Sequence, residues 1–169
     1  MSVAAFALAS APTAAAPLSG FLYQPKADTF GYYLPKPDLR VGKFQLIDIA
    51  IGIPDEFKQF LSGKRIAGYA PVMLEFEDVT SKTRLNELGH PYHINAPRVL
   101  PVAFRVAGSA IAFDGDDKQL RHVTFIGKFD LAKVHAAGGG QESGAVLADD
   151  LTVGSKIFKG LTFTWFGGD

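Results

Sequence analysis

Alternating apolar and polar positions run through most of the second half of the chain. In residues 72–77, the apolar side chains of Val72, Leu74 and Phe76 share one parity, and Met73, Glu75 and Glu77 take the other. The same period of two recurs in residues 99–107 and 122–130. A period of two places successive side chains on opposite faces, so each of these segments is predicted to be a half-buried β-strand.

Short turn signals separate these strands. Gly108 and Ser109 predict a two-residue hairpin, and the acidic run at residues 114–117 predicts another turn, with only a partial likeness to a calcium loop. The glycine-rich residues 136–144 predict a surface loop. Strands joined by turns this short are expected to pair as antiparallel neighbours.

The last hairpin contains a conflict of parity. A turn at Gly154 and Ser155 would place Leu151 opposite Phe158, whereas the apolar positions in residues 161–165 have the opposite parity. One extra residue in a strand reverses the face that the following side chains occupy. The sequence therefore predicts a β-bulge at residues 159–160.

A helical signal occurs in residues 54–61, where Pro54 and two acidic residues precede Phe57, Phe60 and Leu61. Proline and acids favour the first turn of a helix, and Gly63 suits its end. The prediction for the whole chain is an all-β domain, either an antiparallel β-sandwich or a closed β-barrel, with this one short helix.

Residues 1–16 differ from the rest of the chain because they are mostly small and apolar, and the first charged side chain is Lys26. This pattern predicts a secretory signal peptide whose basic start lies further upstream, with a flexible alanine-rich leader as the alternative. Residues 17–169 are predicted to form a single β domain. Localisation is accordingly expected to be periplasmic or secreted.

Composition excludes several classes of function. Lysine and arginine number 17 and aspartate and glutamate also number 17, so no basic excess favours nucleic acid as a partner. Cysteine is absent, which excludes disulfides, thiolate metal ligands and thiol nucleophiles. No other apolar run is long enough for a transmembrane helix.

Residues 80–97 form the longest stretch without a strand signal, and such long loops are often functional. His90 and His93, with Glu87 nearby, could hold a divalent metal through imidazole and carboxylate ligands. The alternative is a surface loop in which these side chains hydrogen-bond locally. No other cofactor is expected.

Asp48 interrupts an apolar run at residues 46–51. A carboxylate in a covered strand is costly unless it is paired, so Asp48 is the one candidate for a catalytic acid or base. The favoured alternative is a structural ion pair with one of four arginines: Arg40, Arg65, Arg98 or Arg105. Asp149 and Asp150 are instead interpreted as solvated strand positions.

Exposed aromatic side chains are candidates for contact with a sugar or an apolar ligand. The predicted ligand-binding residues are Tyr32, Tyr33, Tyr92 and His93. Ordinary cross-strand packing is the alternative for such tyrosines.

Three hypotheses for function follow. The leading one is an exported binding protein without catalytic chemistry, whose partner is a small molecule, a glycan or another protein. The second is an enzyme with its site in residues 80–97, assisted by metal on His90 and His93. The third is a structural subunit of an envelope or extracellular assembly, in which the chain forms a homo-oligomer.

Overall fold

The computed structural model describes residues 17–168. The predicted leader at residues 1–16 lies outside the described residues. Among those described, no helix is both long enough and apolar enough to span a membrane.

Twelve strands and two short helices make up this part of the chain. The helices are α1 (Pro54–Leu61) and α2 (Leu131–Gly138). The strands are β1 (Phe21–Pro25), β2 (Gly31–Lys36), β3 (Leu39–Val41), β4 (Phe44–Ile51), β5 (Val72–Asp78), β6 (Thr83–Leu85), β7 (Pro91–His93), β8 (Arg98–Gly108), β9 (Ala110–Asp117), β10 (Arg121–Phe129), β11 (Leu147–Val153) and β12 (Lys156–Phe166).

Eight of these strands close into an antiparallel barrel. The order around the ring is β8-β5-β4-β2-β12-β11-β10-β9, and β9 pairs again with β8 to complete it. Strand β3 extends the pairing of β4, and β1 lies parallel to the second half of β8. The predicted all-β fold is confirmed, and of its two forms the barrel is correct and the sandwich is wrong.

Large apolar side chains occupy the interior of this barrel. Phe76, Phe104, Phe113, Phe125 and Phe163 come from five different strands, and each is almost completely buried. Side chains of this size can fill the interior of an eight-stranded barrel, which is only just wide enough to contain them. The predicted parities of β5 and β10 are confirmed, since the apolar residues that share one parity are buried: Val72, Leu74 and Phe76 in β5, and Val123, Phe125 and Phe129 in β10.

Helix α1 has the predicted bounds. The Glu56 carboxylate accepts a hydrogen bond from the Ile53 N–H at 2.9 Å, which satisfies a donor at the helix start. On its buried face, Phe57 stacks on Tyr23 of β1 with ring centroids 3.7 Å apart, and Phe60 packs edge-on against Phe21. The helix is thereby fixed against β1.

The prediction of one helix is wrong, because α2 is a second one. Asp130 caps it by accepting a hydrogen bond from the Lys133 N–H at 3.2 Å, and Val134 and Ala137 are buried. Its last residues belong to the segment predicted as a glycine-rich loop. Two buried residues in two turns leave too short a periodic pattern to identify in the sequence.

The predicted bulge is confirmed. Leu151 pairs with Phe158 and Asp149 pairs with Leu161, so Lys159 and Gly160 together oppose one residue of β11. Gly160 has φ +64°, and its N–H donates a hydrogen bond to the Asp150 carboxylate at 2.8 Å. Glycine adopts this left-handed conformation without steric cost.

The turn predicted at residues 114–117 is wrong, whereas the hairpin at Gly108 and Ser109 is confirmed. Strand β9 continues through Asp117, and the chain turns after it, where the Asp117 carboxylate accepts hydrogen bonds from the N–H groups of Gln119 and Leu120. Cross-strand pairing with β8 and β10 on both sides keeps the acidic run extended.

Candidate functional site

A bulge in β4 decides where Asp48 points. Leu46 pairs with Phe76 and Asp48 with Glu75, which leaves Ile47 as the extra residue. The bulge reverses the parity of the strand, so Leu46 faces the interior and Asp48 faces outward beside Glu75. The two carboxyl groups therefore project from directly opposed positions on the outer wall of the barrel.

Asp48 is poorly solvated in this position. Its Oδ1 atom is buried and has no hydrogen-bond partner among residues 17–168. Burial raises the pKa of the Asp48 carboxyl to about 7; the negative charge of Glu75 adds to this shift, and Arg98 opposes it. Asp48 therefore keeps its proton to a higher pH than an exposed aspartate does.

The ion pair predicted between Asp48 and an arginine does not form among the described residues, because Arg98 pairs with Glu75 instead. Arg98 Nε donates to Glu75 Oε1 at 2.9 Å, and within the described part of the chain Asp48 forms no ion pair with any arginine. The sequence offered Arg98 only as one of four possible partners for Asp48. It could not indicate that Glu75, from the next strand, would hold that arginine.

A cleft of about 260 Å³ opens beside Glu75 and Arg98. Its floor is the outer face of β2, β4 and β5, and its rim comes from α1 and the segment that follows it. The lining combines aromatic rings, small apolar side chains, two carboxylates and one guanidinium group: Phe30, Tyr32, Ala50, Ile51, Gly52, Glu56, Tyr69, Ala70, Met73, Glu75 and Arg98.

Because Gly52 has no side chain, Glu56 and Tyr69 can approach its backbone closely and form one wall of this cleft. A Cβ atom at this position would lie 2.3 Å from Glu56 Oε2 and 3.2 Å from the Tyr69 hydroxyl. Burial raises the pKa of Tyr69, and its hydrogen bond to Glu56 adds to that shift. Tyr69 therefore remains a neutral donor held against a carboxylate.

The two neighbouring tyrosines of β2 have opposite environments. Tyr32 lines the cleft and is 37% exposed, whereas Tyr33 is completely buried. The Tyr33 hydroxyl donates to the Thr29 carbonyl at 2.8 Å, and its ring packs against Phe129. The prediction that Tyr33 is an exposed ligand-binding residue is wrong, because its parity on β2 directs it into the barrel.

Residues 80–97 contain a small two-stranded sheet, β6 paired with β7, instead of an irregular loop. His93 Nδ1 lies 2.8 Å from the Ser81 carbonyl, and its Nε2 lies 3.6 Å from Glu77 Oε1. His90 and Glu87 are exposed near the turn between the strands. Tyr92 and His93 thus lie on this hairpin and not among the residues that line the cleft.

The structure does not assemble the predicted metal ligands. Between residues 17 and 168, no group of three or more histidine, aspartate or glutamate side chains is arranged to hold a metal ion. His90, His93 and Glu87 are therefore not brought together as a site.

Asp149 is a buried acid that the sequence reasoning missed. It is 4% exposed, and neither carboxyl oxygen has a hydrogen-bond partner among the described residues. Burial raises the pKa of the Asp149 carboxyl to about 8, and the adjacent Asp150 adds to the shift. The signal was present in the parity of β11, since Asp149 alternates in step with the inward-facing Leu147 and Leu151.

A second cleft, of about 520 Å³, lies on the outer face of β8, β9 and β10. His122 lines it, with Nδ1 3.1 Å from Asp116 Oδ1 and 3.7 Å from Asp114 Oδ1. Arg105 lines the same cleft. His122 and Asp116 are largely exposed, so water screens their interaction, whereas the Asp114 Oδ1 atom is buried.

No protein family, no curated protein and no solved structure matches this chain, so only the geometry of these clefts bears on function.

Proposed function

We propose that this chain is an exported binding protein, periplasmic or secreted, that holds a carbohydrate on the outer wall of its barrel. The observation that carries the proposal is the cleft of Tyr32, Tyr69, Glu75 and Arg98, which combines aromatic faces with a carboxylate and a guanidinium group. Export rests on the apolar residues 1–16. Sequencing the N-terminus of the secreted or periplasmic protein tests that part, and a cytoplasmic protein that retains Met1 would contradict it.

The chemistry of the cleft suits a sugar. The C–H faces of a pyranose ring are apolar and pack on aromatic rings, such as the partly exposed Tyr32. Sugar hydroxyls donate to carboxylates and accept from guanidinium groups, and Glu75 and Arg98 offer both kinds of partner 2.9 Å apart. The packed interior of the barrel favours a site on the outside over an enclosed one.

A screen of the intact protein against immobilised glycans, followed by calorimetry on the glycan that binds, tests the proposal. We expect Tyr32→Ala to weaken binding about tenfold or more, because it removes the stacking surface. Tyr92→Ala is the matched control, since Tyr92 is a tyrosine of similar exposure, 44%, outside the cleft. Equal losses in the two variants, or no glycan bound by the native protein, would contradict the proposal.

A second candidate is a glycoside hydrolase that uses Asp48 and Glu75. Directly opposed positions on adjacent strands place Cβ atoms about 5 Å apart, and the environments of the two carboxyl groups differ, with Asp48 protonated near neutrality and Glu75 paired with Arg98. A raised pKa suits a general acid and a carboxylate paired with an arginine suits a nucleophile, so the two groups could take these roles. Release of reducing ends from the bound glycan, abolished in Asp48→Asn, distinguishes this enzyme from a binding protein.

A further inference from the structure

The β6–β7 hairpin exposes large apolar side chains in a graded pattern. Exposure is 44% at Tyr92 and 46% at Ile94, rises to 68% at Leu85, where β6 ends, and reaches 77% at Leu88 in the connecting turn. A two-stranded ribbon has little stability unless something covers it. Covering the tip with a partner would therefore bury the exposed side chains of Leu85 and Leu88 and stabilise the hairpin.

The base of the hairpin is firmly anchored. The buried Asp78 carboxylate accepts hydrogen bonds from Lys43 Nζ at 2.7 Å, from the Thr80 hydroxyl at 2.7 Å and from Asn95 Nδ2 at 3.0 Å. These charge-assisted bonds join both ends of the hairpin segment to the barrel. The Lys43 ammonium group also holds the pKa of Asp78 well below its usual range. The apolar tip thus projects from a rigid support.

Cationic and apolar side chains share one face of this hairpin. Arg84 pairs with Tyr92, and the Ile94 N–H donates to the Lys82 carbonyl, so all four side chains lie on the same side of the ribbon. Glu87, in the turn, is the one acidic residue between residues 82 and 95. This face therefore combines apolar surface with positive charge.

We infer that the hairpin tip inserts into an anionic lipid surface. Leu88 and Leu85 would enter the acyl region first, Tyr92 would lie at the headgroup level, and Lys82 and Arg84 would contact lipid phosphates. The arrangement fits an anionic lipid surface because exposure falls from 77% at Leu88 in the turn and 68% at Leu85 to 44% at Tyr92, which lies opposite the cationic Arg84. This inference is independent of the carbohydrate site, which shares no residue with the hairpin.

Sedimentation of the intact protein with vesicles tests this inference. We expect binding to phosphatidylcholine vesicles that contain phosphatidylserine, and weaker binding as salt is raised. Leu88→Asp should lower the bound fraction at least about tenfold, since it places a charge where an apolar side chain would be buried. The double variant Lys82→Glu with Arg84→Glu should reduce binding to the anionic vesicles selectively.

Ile157→Asp is the matched control, because Ile157 is exposed to a similar degree, 66%, on a different hairpin. Equal losses of vesicle binding in Ile157→Asp and Leu88→Asp would overturn the inference. Failure of the native protein to sediment with the vesicles that contain phosphatidylserine would also overturn it. Analytical ultracentrifugation provides a further check. If the native protein dimerises and Leu88→Asp makes it monomeric, the tip binds a second copy of the chain and the lipid inference is wrong.

Discussion

Asp48 and Asp149 are both poorly solvated carboxyl groups on antiparallel strands, but they project from opposite faces of the barrel wall. Asp48 faces outward beside Glu75, which lines an open cleft together with Arg98. Asp149 faces the packed interior opposite Gly127. A raised pKa is common to both, so it does not by itself identify a functional site. The difference lies in the surroundings, because Asp48 lies beside Glu75 and Arg98, which line a cleft open to a ligand, whereas Asp149 faces packed side chains.

Replacing Asp149 is expected to change the free energy of unfolding more than replacing Asp48. The folded pKa of about 8 lies above the ordinary value of 3.8, so this carboxyl favours folding most at low pH and its contribution is lost as pH rises towards 8. Asp149→Leu keeps the side-chain branching and removes the charge. We expect its free energy of unfolding at pH 9 to exceed that of the native protein by on the order of 3 kcal/mol.

Urea unfolding at pH 5 and pH 9 measures this effect, which should be clearly larger at the higher pH. Asp38→Leu serves as the control, because Asp38 is an exposed carboxylate. A gain in stability that is the same at both pH values would show that Asp149 is not the source of the pH dependence.

The second-largest effect on stability is expected at Gly127, which packs closely against Asp149 in the interior of the barrel. A Cβ atom there would lie 2.9 Å from Asp149 Oδ2 and 3.0 Å from the Ala148 carbonyl. Gly127→Ala should therefore cost about 2 kcal/mol of unfolding free energy, because the backbone oxygen cannot move aside. Thermal and urea unfolding of Gly127→Ala, Asp149→Ala and the double variant give the coupling between the two positions. Strict additivity would mean that the two side chains do not share this space.

The smallest expected stability effect is at Asp48, on the open side of the wall. Its folded pKa of about 7 also lies above 3.8, so its contribution to stability declines as pH rises from about 4 to 7. Asp48→Asn should raise the unfolding free energy by about 1 kcal/mol at pH 8 and leave it nearly unchanged at pH 4.

The pH dependence of glycan affinity should distinguish Asp48 from Asp149 more clearly than the free energy of unfolding does. If the cleft binds a sugar, the native affinity should change through pH 7, and Asp48→Asn should flatten that profile. Asp149→Leu should leave the profile as it is, since Asp149 faces the packed interior, whereas Asp48 lies on the outer face directly opposite Glu75 of the cleft. A profile that changed equally in both variants would remove the functional distinction between the two acids.

Local patterns predicted several elements of the fold correctly. Helix α1 has the bounds that its proline, acidic and aromatic positions indicated, and the bulge lies at Gly160 as the change of parity required. Both features depend on residues that are close together in the chain. The sequence also identified Asp48 as unusual, because a single charge in an apolar run is visible without knowledge of the fold.

Other features could not be predicted because distant segments determine them. The bulge at Ile47 that turns Asp48 outward shows no local change of parity. Likewise, strict alternation in residues 99–107 would place Val102 on the buried face of Phe104, but an irregularity between Pro101 and Ala103 leaves Val102 54% exposed. Pairing on both sides extended the acidic end of β9 into a strand. Tyr33 and Asp149 were assigned to the surface because their residue types suggested it, although their strands direct them inward.

By itself, the sequence determined that the chain is a β protein with short hairpins, since period-two alternation and turn residues act within a few positions. Tertiary structure decided that the strands close into a barrel, because closure depends on pairings such as that between β2 and β12, which lie far apart in the chain. It also decided the cleft, whose residues come from β2, β4, β5, β8, α1 and the segment after α1. Side chains separated by long stretches of chain converge only when the sheet closes, so no local pattern could have located them.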